Sequence, residues 1–421
     1  MDLKLDHQAA QLYDLKQLTI SGSKSESNRL LILKKLFESI EIENLSTSDD
    51  TKYLDKVLNS QNKVLDIGHA GTAMRFGTAY FAAQPGKEVI LTGSDRMKQR
   101  PIGILVEALN KLGAQITYLE KEGFPPLKIH GQSLKSEKLE IDGSVSSQFL
   151  TALLLIGASL ENGLQLEIKN LTSVPYLKMT CAILENLGVS VGWNENKNAT
   201  FVTVQMQSSR ITGRYTVESD WSSAGYWYSW TALQEPGFEM KLNHFKNPSL
   251  QGDSKIVEIY QHFGVRTYFE GTTLHLRKYE KILPEQLNLD FTDIPDQAQT
   301  VFATCLGLGI DLHFTGLHTL KVKETDRIEA MKMVGSRFRN PDSYRDEITT
   351  SHNDIKMRHD RSKSFKKDVI VDTFHDHRMA MAFAPLCAKT SLVIKDAGVV
   401  SKSYPTFWED LKCYGVGISV I

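Results

Sequence analysis

The segment SGSKSESNRLLIL, from Ser21, sets Lys24, Ser25, Ser27 and Arg29 around the start of an apolar run. Unpaired backbone N–H groups at a helix start attract anions, and neighbouring Lys and Arg add formal charge. The same serines would serve a plain helix cap, so the segment alone supports either reading. It is no Walker loop, because GxxxxGK followed by Ser or Thr is absent. IGHAGTAMRF comes next, with His69, Gly71, Thr72 and Arg75; its closely spaced small residues let a ligand approach the backbone. LTGSDRMKQRPIG crowds Arg96, Lys98 and Arg100 beside Pro101, a cationic loop that suits phosphate, carboxylate or plain solvent. IDGSVSSQFLTALLL offers Ser144, Ser146, Ser147 and Gln148 before another apolar run, a phosphate cradle without formal charge. SVPYLKMT adds Ser173 and Tyr176, and VESDWSSAGYW adds Asp220, Ser222 and Ser223.

The second half supplies acids among cations. FTDIPDQAQTVFAT carries Asp293 and Asp296, LKVKETDRIEAM carries Lys321, Lys323, Glu324, Asp326 and Arg327, and DTFHDHRMAMAF carries His375, Asp376, His377 and Arg378. VVSKSYPTFWEDL ends the series with Lys402. Carboxylates among cations at the starts of apolar helices are what proton transfer beside an anionic substrate needs. Two histidines at i and i+2, without a further His/Cys cluster, do not make a metal site.

The elements that must position these groups recur. LVEALNKLGAQI, AILENLGVSV, VEIYQHFGVRT and FWEDLKCYGVGI share a helix-to-strand pattern around Gly113, Gly188, Gly264 and Gly415, and AMKMVGSRF offers a weaker version at Gly335. The spacing, roughly 70 to 80 residues, is that of one supersecondary unit used repeatedly. Apolar residues eight, four and one positions before the glycine share a helix face, as in Leu105, Leu109 and Leu112, Ile256, Tyr260 and Phe263, or Phe407, Leu411 and Tyr414. Thr180 and Arg327 break the pattern in two copies. Five or six such units make an α/β protein in two halves. Residues 339–368 are strongly polar and read as an exposed hairpin or loop excursion.

Composition bounds the rest. With 49 basic and 50 acidic residues the net charge is -1, which gives no whole-surface pull on nucleic acid or acidic lipid. Cys181, Cys305, Cys387 and Cys413 are scattered and read as free core thiols in a reducing compartment. The opening MDLKLDHQAA has no apolar secretory core, and FLTALLLIGASL, from Phe149, is too short for a bilayer and reads as a buried helix. A cytoplasmic protein is expected.

In order along the chain, GSKSESNR, HAGTAMR, TGSDRMKQRPIG, DGSVSSQFLTALL, VPYLKMT, ESDWSSAGYW, QGD at Gln251–Asp253, DIPD, KETDR, DHRMAM and SKSYP resemble the 5-enolpyruvylshikimate-3-phosphate synthase family, from Ser21 to Pro405. The resemblance implies a two-domain enolpyruvyl-transferase fold, an inside-out α/β barrel in which each domain is three βαβαββ units. It implies domains at 21–219 and at 1–20 plus 220–421, hinged near 20–22 and 217–222, with a cleft that closes on substrates. The first residues would return to the later domain.

The implied reaction moves the enolpyruvyl group of phosphoenolpyruvate to the 5-hydroxyl of shikimate-3-phosphate and releases phosphate, a step towards chorismate and the aromatic amino acids. By motif position, Asp296 handles the hydroxyl proton, Glu324 the methylene proton, and Lys24 stabilises charge near both substrates. Ser25, Arg29, Ser146, Ser147, Gln148, Ser173, Tyr176 and Lys323, with Lys24 and Asp296, hold shikimate-3-phosphate. Gly71, Arg100, Gln148, Arg327, Arg378 and Lys402, with Lys24, hold phosphoenolpyruvate. The resemblance implies no metal or organic cofactor, a monomer, no nucleic-acid or membrane partner, and room for glyphosate at Gly71. Two anionic ligands in one cleft also demand that cations outnumber acids there. Ser21 departs from the family's proline, His69 from its usual asparagine, and Thr319 from an asparagine in some members. The rival readings are the related transferase acting on UDP-N-acetylglucosamine, whose mobile arginine loop usually carries a cysteine that SDRMKQRP lacks, and a catalytically idle anion-binding paralogue.

Overall fold

The structure, a computed structural model, describes residues 1–7, 17–37, 39–135, 138–144, 146–206, 213–280, 283–338, 347–360 and 365–421. The chain divides into two compact units, one of Met1–Ser21 with Glu218–Ile421 and one of Gly22–Val217. The first unit opens with β1 (Leu3–His7) and β2 (Gln17–Leu18) before the chain leaves it.

The Gly22–Val217 unit runs α1 (Lys24–Leu36), β3 (Ile40–Glu43), α2 (Asp49–Asn59), β4 (Val64–Asp66), α3 (Gly71–Ala82), β5 (Glu88–Thr92), α4 (Gly103–Lys111), β6 (Gln115–Tyr118) and β7 (Leu127–His130). It continues with β8 (Lys138–Asp142), α5 (Ser147–Gly157), β9 (Leu164–Lys169), α6 (Val174–Asn186), β10 (Val189–Glu195), β11 (Thr200–Met206) and β12 (Gly213–Thr216). Its sheets β4-β5-β7-β6 and β8-β9-β11-β10 share one topology. In each, two parallel strands joined by a helix are followed by a second helix and an antiparallel hairpin. The third copy departs from expectation. Among the described residues it is only β12 parallel to β3, in register Gly213↔Ile40 to Thr216↔Glu43, without a hairpin.

The other unit resumes with α7 (Trp221–Ala232), β13 (Glu239–Leu242), α8 (Ile256–Gln261), β14 (Val265–Glu270), β15 (Thr273–Lys278), β16 (Gln286–Asp290), α9 (Ala298–Leu308), β17 (Asp311–Thr315) and α10 (Arg327–Arg337). It ends with β18 (Glu347–Thr350), β19 (Ile355–Arg358), β20 (Val369–Val371), α11 (His377–Phe383), β21 (Leu392–Ile394), α12 (Phe407–Lys412) and β22 (Val416–Val420). The sheet β16-β17-β19-β18 is a full copy. In β14-β15-β13-β2 the strand β2 is contributed before the chain leaves the unit. In β20-β21-β1-β22 the N-terminal β1 fills the hairpin position, pairing Leu3 with both Ile394 and Val420.

Helices α1, α3 and α5 pack on one another, as do α7, α9 and α11. Apart from α1, these are buried along almost their whole length, as helices apolar on most sides must be. Strands such as β8 and β17 alternate buried and more open positions, so the sheets cover the helices from outside. Each unit thus has helices within and sheets without, the expected inside-out arrangement, with no closed barrel among the described residues.

The repeat glycines behave as the spacing requires at four positions. Gly113, Gly188, Gly264 and Gly415 have φ of +98°, +85°, +72° and +82° and end α4, α6, α8 and α12. Gly335 does not. It lies inside α10, where a Cβ would come within 2.9 Å of the Phe302 ring, so close helix packing explains it. Of the two readings of the polar segment, its 347–358 part takes the hairpin and not the loop excursion. It forms the β18–β19 hairpin of a sheet, anchored by buried Ile348, Ile355 and Met357; residues 339–346 and 361–364 lie outside the described residues. FLTALLLIGASL is the buried α5 as expected, and no helix among the described residues is long and apolar enough to cross a membrane. Three cysteines are buried, but Cys413 is exposed and is not a core thiol.

Candidate active site

Many of the motifs fall at the N-termini of the central helices, with others at the starts of α6 and α10 and in the loops that hold Arg100 and Lys402. In the Gly22–Val217 unit, Ser23 caps α1 by accepting from the Glu26 N–H, and Lys24 and Ser25 are the first helical residues. The Lys24 ammonium lies 3.5 Å from an Asp50 carboxylate oxygen. Arg29, one turn in, is buried, and its guanidinium donates to Thr180 Oγ1 (2.8 Å), the carbonyls of Ser25 (2.7 Å) and Tyr176 (3.0 Å), and Thr151 Oγ1 (3.3 Å). It therefore ties α1, α5 and α6 together from inside. Burial pulls its pKa down to about 10, against the weaker opposing pull of Tyr176 and Glu26.

Ser146 caps α5, Ser147 starts it, and the Gln148 amide donates to Thr72 Oγ1 at 3.2 Å, joining the starts of α5 and α3. A Cβ at Gly71 would lie 2.5 Å from a terminal nitrogen of Arg100 and 2.8 Å from one of Arg75. Glycine thus lets both guanidinium groups close over the start of α3. Arg100 Nε is buried without a hydrogen-bond partner among the described residues, an unsatisfied cationic donor beside a helix N-terminus. Ser173, before α6, adopts φ 53° and ψ 42°, a left-handed conformation that costs a non-glycine residue about 1–3 kcal/mol. Tyr176 follows in the first turn, half-buried.

In the other unit the starts of α7, α9 and α11 meet at Arg378. Its guanidinium donates to Asp296 Oδ2 (2.9 Å) and the Asp296 carbonyl (3.3 Å), and lies 3.4 Å from Ser222 Oγ. Arg327 opens α10 and is 2% exposed, enclosed by carboxylates. It donates to Asp376 (2.7 Å), Glu324 (2.8 Å) and Asp296 (2.9 Å). Burial alone would lower its pKa, but Asp376, Glu324 and Asp296 together outweigh that and raise it. Lys402, also buried, pairs with the second Glu324 oxygen. Lys323 lies 3.5 Å from Asp296, and desolvation with the nearby Arg327 and Arg378 lowers its pKa against the pull of Asp296.

Each of the cations Lys323, Arg327, Arg378 and Lys402 faces a carboxylate. Of the cations that the resemblance assigns to substrates, Arg29 and Arg100, both in the other unit, show no ion pair among the described residues.

Residues 53–411 match the family described as EPSP synthase (3-phosphoshikimate 1-carboxyvinyltransferase). The chain belongs to the EPSP synthase family. A 3-phosphoshikimate 1-carboxyvinyltransferase of Bacteroides fragilis is 43% identical over 407 residues, covering 96% of both chains. One from Sulfurovum sp. is 34% identical, covering 94% of this chain and 96% of its own. Among solved structures, an EPSP synthase of Acinetobacter baumannii shares the fold with TM-score 0.75 at 20% identity, over 100% of both chains. The enolpyruvyl transferase NikO of Streptomyces tendae shares it at TM-score 0.72 and 12% identity, covering 99% and 98%.

Within the family motifs, several side chains had no role assigned from sequence. Asp50 pairs with Lys24, Thr72 holds Gln148, and Thr151 and Thr180 hold Arg29. Asp376 stands in FHDHR, but nothing local marks it as the partner of Arg327, 49 residues away. Asp50, in STSDD, reads locally as only an acidic helix start.

Proposed function

We propose that this chain transfers the enolpyruvyl group of phosphoenolpyruvate to the 5-hydroxyl of shikimate-3-phosphate, releasing inorganic phosphate. The observation that carries the reading is the single guanidinium, Arg327, that holds Asp296 and Glu324 side by side. Two carboxylates bridged by a cation can serve one proton abstraction and one proton donation a few ångströms apart.

In this reading Glu324, once protonated, gives its proton to the methylene carbon of phosphoenolpyruvate, and the adjacent carbon becomes electrophilic. Asp296 accepts the proton of the attacking 5-hydroxyl as the new C–O bond forms. The tetrahedral adduct then loses phosphate: its C–O(phosphate) bond breaks, and the methyl group returns a proton as the double bond re-forms. Arg100, Arg327, Arg378 and Lys402 orient the donor's carboxylate and phosphate, since arginine forks fix geometry as well as charge. For Arg327, Arg378 and Lys402 this means exchanging a carboxylate partner for the donor. Lys24 stabilises charge between the substrates. Ser25, Ser146, Ser147, Gln148, Ser173 and Tyr176 bind the acceptor, with Lys323 reaching it from the acid–base side. Arg29, with its guanidinium engaged inside, supports the acceptor set by holding α1, α5 and α6. The reaction draws on residues of both units, with hinge positions near 20–22 and 217–222, in a cytoplasmic monomer.

The test is phosphate release from phosphoenolpyruvate with shikimate-3-phosphate, compared with UDP-N-acetylglucosamine as acceptor. Turnover with the first and none with the second is expected; no turnover with shikimate-3-phosphate overturns the reading.

A further inference from the structure

Beside the acid–base set lies a carboxylate to which the reaction above gives no task. Asp253, in the turn before α8, is 2% exposed. Its Oδ2 accepts a short hydrogen bond from Ser222 Oγ, in the first turn of α7, and one from Gln297 Nε2 at 3.3 Å, next to Asp296. Gln297 Nε2 also donates to the Trp221 carbonyl at 3.2 Å. A Cβ at Gly225 would stand 2.4 Å from the Gln297 amide oxygen, so α7 offers that amide a seat only a glycine leaves open. Ser222 in turn is 3.4 Å from the Arg378 guanidinium that grips Asp296. Asp253 is thus linked to the cation of the proposed proton transfer through one hydroxyl, and through the Gln297 amide to the residue that follows its carboxylate, Asp296.

We propose that Asp253 is a positioning residue for the reaction, fixing the starts of α7 and α9 around Asp296 through Ser222 and Gln297 and keeping the Asp296 carboxylate basic by its own negative charge. The groups facing this pair come from every neighbouring element: Asp220 and Ser222 at α7, Gln297 at α9, Lys323 and Arg327 at α10, and Arg378 at α11. The cations stabilise Asp296 as an anion and would by themselves make it a poor base. A second buried carboxylate offsets them. In keeping with this mutual repulsion, burial first and Asp296 second raise the pKa of Asp253, against Arg378 and the Ser222 hydrogen bond.

The inference rests on Asp296 acting as the base, and its test separates the two. Carboxyl-carbon NMR of aspartate-labelled full-length protein, with Asp296 assigned through Asp296→Asn, reads the titration midpoint of Asp296 without turnover. Asp253→Asn is expected to move that midpoint to lower pH; an unchanged or raised midpoint overturns the inference. In the phosphate-release assay the same variant should move the acid limb of turnover to lower pH and cut plateau turnover about fivefold, with KM unchanged, as Brønsted behaviour of a weaker base requires. A raised KM with an unmoved acid limb would mark a merely structural role and overturn it too. Should Asp253→Asn fail to fold, Ser222→Ala removes the hydroxyl donor and must raise the midpoint of Asp253 itself; no movement there overturns the linkage. Wild-type protein that titrates as expected but does not turn over would overturn the proposed reaction alone.

Discussion

Arg327 Nε donates to Oδ2 of the fully buried Asp376 at 2.7 Å, while Nη2 of the same guanidinium reaches Oδ1 at 3.3 Å. This fork fixes the plane of the guanidinium, and the remaining edge is what meets Asp296 and Glu324. Asp376 also caps α11 by accepting from the Arg378 N–H at 2.9 Å. Asp376→Asn keeps the shape and the cap but removes the charge facing a buried cation. It should cost about 3 kcal/mol, the usual penalty for breaking a buried pair. Urea unfolding measures it, and a loss within experimental error would show that Asp296 and Glu324 suffice to hold Arg327.

Asp296→Ala and Glu324→Gln address the proton transfers. Each should lower turnover about 100-fold or more, the range of a lost general acid or base. Dissociation constants for shikimate-3-phosphate, from calorimetry, should change far less. Near wild-type turnover in either variant would remove that residue from the mechanism.

At Gly71 an added methyl group meets Arg100 and Arg75 at 2.5 and 2.8 Å. Gly71→Ala must push at least one guanidinium away from the start of α3. KM for phosphoenolpyruvate should therefore rise with little change in stability. Glyphosate is expected to inhibit the wild type in competition with phosphoenolpyruvate, and its inhibition constant should rise in the variant at least as much as KM. An unchanged KM would place Arg100 outside donor binding.

Glu218, where the chain re-enters its first unit, is buried and accepts four hydrogen bonds, from Trp221 Nε1, the Lys246 N–H, Ser249 Oγ and Gln251 Nε2. Desolvation outweighs these donors and raises its pKa above the ordinary 4.5. A raised folded-state pKa means that the stabilisation from binding the proton is complete below the unfolded value and is lost as pH climbs through the folded one. Gln cannot ionise. The stability of Glu218→Gln relative to wild type should accordingly improve between about pH 4 and about pH 8, read by urea unfolding at each. A difference that stays constant or narrows the other way would contradict the burial argument.

How much of this was legible in the residues differs by level. The repeat could be read because a helix that ends on an apolar face and a left-handed glycine leaves a local signature, as at Gly113, Gly188, Gly264 and Gly415. Gly335 copied that signature for another reason, the nearness of Phe302, which no local pattern encodes. Polarity left residues 347–358 open between a hairpin and a loop excursion; they form a hairpin whose few apolar anchors and place beside β17 are set by pairing, not by composition.

For the site, the sequence by itself determined which groups stand at helix starts: Lys24, Gly71, Ser146, Asp296 and Arg378 each sit where a short polar string meets an apolar run. Chemistry at a helix N-terminus needs only local spacing, so local spacing reveals it. Only the tertiary structure decided who faces whom. Arg327 and Asp376 are 49 residues apart, Arg378 and Ser222 156, Gln148 and Thr72 76. Those pairings follow from how the helices of each unit pack, α7 with α11, α3 with α5 and α10 with α11, and whether a cation is left without a carboxylate, like Arg100, or enclosed by carboxylates, like Arg327, follows from that packing.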